Sequence, residues 1–558
     1  MKSRPDTLRS IEAQPFDVCI IGGGATGAGC ALDAQLRGLS TVLIEAADFA
    51  SGTSSASTKM VHGGVRYLEQ AVRRLDFAEY RVVKRALDER IHMLRNAPYL
   101  TRTKQFITPC YGLSEAAYYE AGLKLYDWIA GRAGLAPSRF FAHDEVLEKL
   151  PRLSGRGLIG GVAYTDGQFD DARYNIALVL TFAQAGGEAV NYARVVEFRK
   201  NAGGQLTAAD IEDRISGGHF EVRAKCFVNA TGPFADSIRE LATPGAGRRM
   251  RLSKGVHILL PLERFSPTDA TAAEAGDALL IPKTEDGRVL FAIPWMGRLL
   301  VGTTDEEIDH PDERLVAKAE VEYLLCHLNR YLADPVSVGD VVSAFAGVRP
   351  LVSPARSRSS ETRELAREHV VEVDRVTGLV SIMGGKWTTY RAMAEDTIDA
   401  VCGRLRCDRG PCRTLDYPLA GSEGFSGDLW QTLARDFEIA EPVARHLSSK
   451  FGARAREIMK IASEAPNNLA APLALGGIPI KAEIVFCARS EMALSIEDVL
   501  ARRIGLESYS WSESIRTAPV VAELLGRELG WSMEEKKTAV DQYVPRIKGL
   551  MRESGSGS

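Results

Sequence analysis

FDVCIIGGGATGAGCALDAQLRGLSTVLIE, residues 16 to 45, decides the fold class. Its first six residues form an apolar run of the kind that fills a parallel strand buried on both faces. A glycine turn follows at once, then the helical pattern CALDAQLRG, then a second apolar run, TVLIE, at 41–45. Gly22, Gly24 and Gly27 stand at the G-x-G-x-x-G spacing of a strand–turn–helix unit that carries a dinucleotide. One glycine makes the turn, one lets the backbone approach a pyrophosphate, and one lets helix and strand pack closely. The helix start at Ala25 and Thr26 offers oriented N–H groups and a partial positive charge. Glu45 ends the second strand, where a carboxylate accepts hydrogen bonds from ribose and repels a 2′-phosphate.

A nicotinamide domain would continue through further strand–helix units. Here the second strand enters a polar loop, ADFASGTSSASTKMVHGG, at 47–64. That loop suits a ligand lying extended through the protein. Thr53, Ser54, Ser55, Ser57, Thr58 and Lys59 offer hydrogen bonds along a pyrophosphate and its neighbours. His62 is read as a cofactor contact or a loop cap, and Gly63 and Gly64 as letting the backbone pass close to a flat ring. Two later segments repeat the theme. CFVNATGP at 226–233 is a strand ending in Ala230, Thr231 and Gly232, and VSIMGGKWTTYRAMAED at 380–396 is a strand, a Gly-Gly turn and a helix. One extended cofactor met by three distant strand ends is a FAD pattern.

The chain has 558 residues, enough for more than one hydrophobic core. A net charge of −4 argues against a nucleic-acid binder that works through bulk charge. The nine cysteines are scattered, with no CxxC, so a reducing compartment is the simpler reading. Cys402, Cys407 and Cys412 lie five apart, but no histidine accompanies them and no metal site is assigned. The N-terminal MKSRPDTLRSIEAQPFD has no apolar core, and no run of about 18 apolar residues occurs, so no transmembrane helix is expected.

Several long blocks then point to one family. They are residues 16–45, TSSASTKMVHGGVRYLE, FDDAR, VNATGP, SKGVH, IPWMGRLLVGTTD, GVRPL, REHVVEV and GGKWTTYR, in that order. The set resembles the FAD-dependent glycerol-3-phosphate dehydrogenases from residue 16 to about 400, and more weakly through VLARRIGL at 499–506. With no EF-hand loop near the C-terminus, the likeness is to the bacterial rather than the mitochondrial form. The resemblance implies an α/β fold: a Rossmann-like FAD-binding domain of the glutathione-reductase/D-amino-acid-oxidase type. It adds an α+β substrate domain with an antiparallel sheet, and a C-terminal helical cap. A discontinuous FAD-binding domain is expected over 16–405 (about 16–90, 155–240 and 340–405). A substrate and membrane-facing domain is interleaved at about 91–154 and 241–339, and the helical domain covers 406–553.

The implied reaction oxidises sn-glycerol 3-phosphate to dihydroxyacetone phosphate, with hydride passing to flavin N5 and electrons to a membrane quinone. The implied location is the cytoplasmic face of the bacterial inner membrane, attached to the lipid surface without spanning it, and a homodimer is left open. A phosphate near charge −2 needs fixed cations, and the C2 hydroxyl must lose a proton. Arg66, Arg349, Arg367 and Lys386 match family positions that face substrate, with His257 as candidate base and Tyr67 and Thr304 as further contacts. Arg349 and Arg367 are assigned to phosphate and hydroxyl, Lys386 and Arg66 to the reacting carbon and flavin. The expected cofactor set adds Val195, Gly385, Trp387 and Thr388 to the residues above. Asp170, Asp171 and Arg173 in FDDAR read as a helix-capping cluster with an ion pair rather than as catalytic acids.

Segment 70–155 reads as mostly helical and charged. Tyr118, Tyr119, Leu123, Leu125 and Trp128 suit either an interfacial face or core packing. SIEDVLARRIG and MEEKKTAVDQYVPRIKGLM read as structural amphipathic helices. Rival readings keep the fold and change the chemistry: an oxygen-using glycerol-3-phosphate oxidase, an amine or amino-acid oxidase, or a non-enzymatic flavoprotein scaffold.

Overall fold

Phe16–Ile21 is a central strand because both its flanks find parallel partners: Thr41–Ile44 on one side and His219–Asn229 on the other. The computed structural model describes residues 1–64, 77–266, 276–282, 284–285, 287–353, 369–464 and 468–556. Arg66, Tyr67 and Arg367 lie outside the described residues. Across the first sheet the order is His369–Val373, Val380–Gly384, His219–Asn229, Phe16–Ile21, Thr41–Ile44 and Glu188–Val190. Every neighbouring pair in that path is parallel except the hairpin His369–Val373 with Val380–Gly384. The first half of His219–Asn229 leaves the sheet as an antiparallel ribbon with Leu206–Asp213 and Ala193–Lys200. Helices Ala25–Leu36, Asp171–Gln184 and Tyr390–Leu405 share a core with Val18 and Ile20, while Cys19 and Ile21 on the other face join a second core with Val195, Phe198 and Ile211, so the strand is apolar on both faces for a reason.

The second sheet has ten strands and is antiparallel except where Ala278–Ile281 runs beside Thr101–Cys110. Its spine is Met250–Pro261, paired on one side with Ser343–Val352 and on the other with Arg298–Gly302 and Glu306–Ile308. Met60–Val61, Gly160–Phe169 and Ser343–Val352 all belong to this sheet. The two sheets therefore exchange segments more finely than the approximate ranges 16–90, 155–240 and 340–405 suggest.

Among the described residues 77–155 most are helical, as expected. Phe77–Asn96 and Leu113–Ala130 are helices, but Thr101–Cys110 is a strand inside the second sheet. Arg102 and Lys104 hid its β pattern, and the Lys104 ammonium donates to the Gly276 carbonyl at 2.9 Å, a partner far along the chain. The C-terminal part is helical, as expected. Helices from Leu429–Asp436 to Met533–Ser554 build one core with the second sheet, joining Leu447, Val485, Leu525 and Ile547 to Val256, Ile258 and Leu324. MEEKKTAVDQYVPRIKGLM lies in a single helix, whereas DVLARR at Asp498–Arg503 makes a short, wide helical turn.

Candidate active site

The glycine turn is held by contacts that leave no room for side chains. A Cβ on Gly27 would stand 1.8 Å from the Gly22 carbonyl oxygen, and one on Gly22 would stand 2.6 Å from that of Ala230. Gly22 has φ +110, which glycine alone adopts readily. Gly24 caps helix Ala25–Leu36 without a side chain, and Ser54 Oγ accepts from the Ala25 N–H at 2.9 Å. Thr26 is half-buried in the first turn. The Glu45 carboxylate accepts from the Gly23 and Ala47 N–H groups at 2.6 and 2.8 Å. Burial pushes this carboxyl up, against the lowering effect of those two hydrogen bonds.

Four parallel strand ends meet at this turn. Ala230 N–H donates to the Ile21 carbonyl at 2.9 Å, Thr231 Oγ1 donates to Asn229 Oδ1 at 2.7 Å, and Gly232 follows at φ +57. After Val380–Gly384, Gly385 sits at φ +84 and Lys386 opens the turn Trp387–Thr389. Trp387 Nε1 donates to the Ser54 carbonyl at 2.9 Å, and Thr388 Oγ1 accepts from the His62 N–H at 3.3 Å. The turns at 53–55 and 62–64 thus converge with that at 385–388, some 330 residues on in sequence. Val195 differs from the rest: it is buried in the core with Cys19, Ile21 and Ile44. The glycine cradle, the helix start at Ala25 and the carboxylate at the second strand fit an adenine dinucleotide, and the 385–388 turn fits its far end.

The polar loop leads from this cradle to the second sheet. Thr53 Oγ1 donates to the Val348 carbonyl at 2.6 Å, and Ser57 N–H to Asp171 Oδ2 at 2.9 Å. Lys59, with φ +59, is only 2% exposed. Its ammonium donates to the Ser55 carbonyl at 2.7 Å and pairs with Asp171 at 2.5 Å. It also lies 5.1 Å from the Trp295 ring and 4.9 Å from that of Phe345. Lys59 is thus committed beneath the loop. Asp170 caps helix Asp171–Gln184, accepting from the Arg173 N–H, as expected. The ion-pair partners of the FDDAR cluster, however, come from elsewhere: Lys59, Lys450 and Glu491.

His257 and Arg349 stand on neighbouring strands. The His257 ring stacks on Phe345, its direct cross-strand neighbour, at 5.0 Å. Its Nε2 meets Thr58 Oγ1 at 2.9 Å. Arg349 Nη1 reaches Asp305 at 3.1 Å and Ser253 Oγ at 3.3 Å, while Nη2 reaches Thr303 Oγ1 at 2.9 Å and the Thr304 carbonyl at 3.2 Å. Thr304 is buried and its Oγ1 accepts from the Val256 N–H at 2.9 Å, so Thr303 is the threonine whose hydroxyl meets Arg349. Gly255 and Gly302 make space here: Cβ atoms on them would fall 2.4 Å from Arg349 Nη2 and 2.3 Å from His257 Cδ2. The turn Thr303–Asp305 that ends LLVGTTD was read from the sequence as lying over the active site, whereas Phe345, Trp295 and Asp171 were not assigned as site contacts. The cross-strand register brings Phe345 to His257, and no local pattern encodes that pairing.

Burial drives the His257 imidazole well below its ordinary value, and the positive charges of Arg349 and Lys59 add to the effect. The ring is therefore neutral at working pH. Below about pH 6.5 the unfolded chain takes up a proton that the folded chain refuses, so stability falls as pH drops. For this one group the slope reaches about 1.4 kcal/mol per pH unit. Unfolding midpoints at pH 7.5 and 5.5 should differ more in the wild type than in His257→Gln. Equal differences would show that His257 takes no part in acid sensitivity.

Comparisons with known proteins agree with this architecture. Residues 17–391 match the family model of FAD dependent oxidoreductases, and residues 412–536 match that of the C-terminal domain of alpha-glycerophosphate oxidase. The chain is 39% identical over 536 residues to the mitochondrial glycerol-3-phosphate dehydrogenase of Homo sapiens, covering 94% of this chain and 72% of that one. It is also 39% identical over 551 residues to a mitochondrial glycerol-3-phosphate dehydrogenase of Arabidopsis thaliana, covering 95% and 85%. Among solved structures, the glycerol-3-phosphate dehydrogenase from Bacillus halodurans complexed with FAD superposes with TM-score 0.78 at 28% identity, over 98% of this chain and 97% of that one. Glycine turn, split sheet and helical C-terminal domain occur together along nearly the whole length, and the chain belongs to the FAD-dependent glycerol-3-phosphate dehydrogenase family.

Proposed function

We propose that this flavoenzyme, which oxidises sn-glycerol 3-phosphate to dihydroxyacetone phosphate, does so at the Arg349–His257 cluster and passes its electrons to a membrane quinone. When bound, FAD supplies the two-electron acceptor for the hydrogen leaving C2. Gly22, Gly24, Ala25 and Gly27 would hold its pyrophosphate, Glu45 its ribose, and residues 62–64 and 385–388 its ring end. Arg349 binds the phosphate dianion, aided by Arg367, while Lys386 and Arg66 steady the developing charge at C2. His257, neutral beside Arg349 and Lys59, would take the hydroxyl proton once the substrate phosphate offsets those positive charges. The observation that carries this reading is a cation and a neutral imidazole on adjacent strands, beside the loop that leaves the glycine helix.

A lipid-facing surface fits helix Leu113–Ala130. Among the described residues no helix is long and apolar enough to cross a membrane. Yet Leu113 is 81% exposed and Trp128 71%, Tyr118 and Phe140 are exposed too, and so are the basic Arg132 and Arg139 that follow the helix. Leu123 of the same helix is buried, so the helix has an apolar inner face and a second one turned outward.

Anaerobic mixing with glycerol 3-phosphate should bleach the bound flavin, and a soluble quinone should restore its colour faster than oxygen does. The protein should also sediment with anionic vesicles. Peroxide as the main product would make it an oxidase. Bleaching by an amino acid instead would replace the substrate altogether.

A further inference from the structure

We infer that Tyr126 is a positioning residue for the flavin, its hydroxyl fixing the backbone at Gly63. The inference rests on the reading above, in which the Gly63–Gly64 turn borders the ring.

Helix Leu113–Ala130 turns Tyr126 inward, where it is buried, as are Asp166 and Arg90. Arg90 Nη1 pairs with Asp166 Oδ1 at 2.5 Å, and Arg90 Nη2 donates to the Ala133 carbonyl at 2.6 Å. A carboxylate paired with a guanidinium only accepts hydrogen bonds. The Tyr126 hydroxyl, 2.9 Å from Asp166 Oδ2, must therefore donate its one proton there. Its lone pairs are left to accept, and the Gly63 N–H meets one at 2.9 Å. The polarity of the relay has one solution: Gly63 donates to Tyr126, and Tyr126 and Arg90 both donate to Asp166.

Sterics hold the same point. A Cβ on Gly63 would stand 2.7 Å from Leu87 Cγ and 2.8 Å from the Tyr126 oxygen. So Gly63 is glycine because helices press on it from behind, and its N–H is not available to a cofactor. Gly64 follows at φ +89. Residues 60 and 61 are paired to Gln168 and Gly167 on the strand that carries Asp166, and the His62 N–H is held by Thr388. The Tyr126 hydroxyl then fixes the next peptide, between His62 and Gly63, through its N–H. Without it, a buried N–H and a carboxylate oxygen both lose a partner, and the backbone must shift or admit water.

Tyr126→Phe in the FAD-loaded full chain tests this. The anaerobic bleaching rate with glycerol 3-phosphate should fall about 5- to 10-fold with KM within about twofold. The visible flavin band should shift, and FAD should dissociate several-fold more readily. Leu123→Ala, a cavity in the same helix that leaves the hydrogen bonds intact, should lower the unfolding temperature at least as much while leaving rate and band unchanged. An unaltered band and rate in Tyr126→Phe would overturn the inference, and so would equal changes in Leu123→Ala. If the wild type itself is not bleached by glycerol 3-phosphate, the functional reading fails. Band position and FAD release in the two variants then still decide the role of Tyr126.

Discussion

Arg349→Ala should raise KM for glycerol 3-phosphate by roughly 30- to 1,000-fold, about 2–4 kcal/mol of lost binding. Part of that loss has a specific origin. Arg349 Nη1 neutralises Asp305, and the same Asp305 oxygen also accepts from the Ser253 hydroxyl. Removing the guanidinium leaves a carboxylate facing the place where a phosphate dianion arrives. Adding Asp305→Asn to Arg349→Ala should therefore recover part of the affinity, although neither residue then contributes a positive charge. Steady-state KM in the two variants measures this. An affinity unaffected by Arg349→Ala would remove the residue from the site, and no recovery in the double variant would show that Asp305 does not face the phosphate.

Arg503→Met should destabilise the fold by about 3–5 kcal/mol and weaken FAD retention, although it lies over 450 residues from the cofactor loop. Arg503 is fully buried and grips Asp48 through Nη1 and Nη2 at 2.6 and 2.9 Å, while Arg502 Nε reaches the same carboxylate at 2.6 Å. Burial would raise the Asp48 carboxyl, but Arg503 and Arg502 outweigh it and hold the group below its ordinary value. Asp48 stands three residues past Glu45, so the C-terminal domain holds the loop that follows the second strand. Denaturant unfolding followed by flavin fluorescence would read both effects. Pairing the change with Asp48→Leu should restore part of the stability, since no charge at 48 is then left without its Arg503 partner. Full retention of FAD and stability in Arg503→Met would show the pair to be incidental.

The glycine turn was legible because it is local. Gly22, Gly24, Gly27 and Glu45 lie within one strand–helix–strand unit, and their spacing encodes their geometry. Arg349, His257 and Lys386 were legible only through long blocks shared with a family, since one cation or one imidazole looks like any other in isolation. Lys59 shows the limit. Its place in a hydroxyl-rich loop suggested a phosphate contact, but its ammonium is tied to Asp171, 112 residues away. Thr101–Cys110 was hidden because Arg102 and Lys104 interrupt its apolar pattern, and the Lys104 ammonium is accommodated by the remote Gly276 carbonyl, which composition cannot show.

The sequence by itself determined the fold class, the dinucleotide cradle and the chemical family. Each depends on residues close in the chain or on a pattern repeated among relatives. Only the tertiary structure decided that Phe345 lies under His257, that Asp305 and Thr303 hold Arg349, that Tyr126 reaches Gly63, and that Arg502 and Arg503 secure Asp48. These contacts depend on strand register and on which faces of distant helices meet. Buried charges and buried N–H groups must find partners wherever the fold brings them, however far apart they lie in sequence.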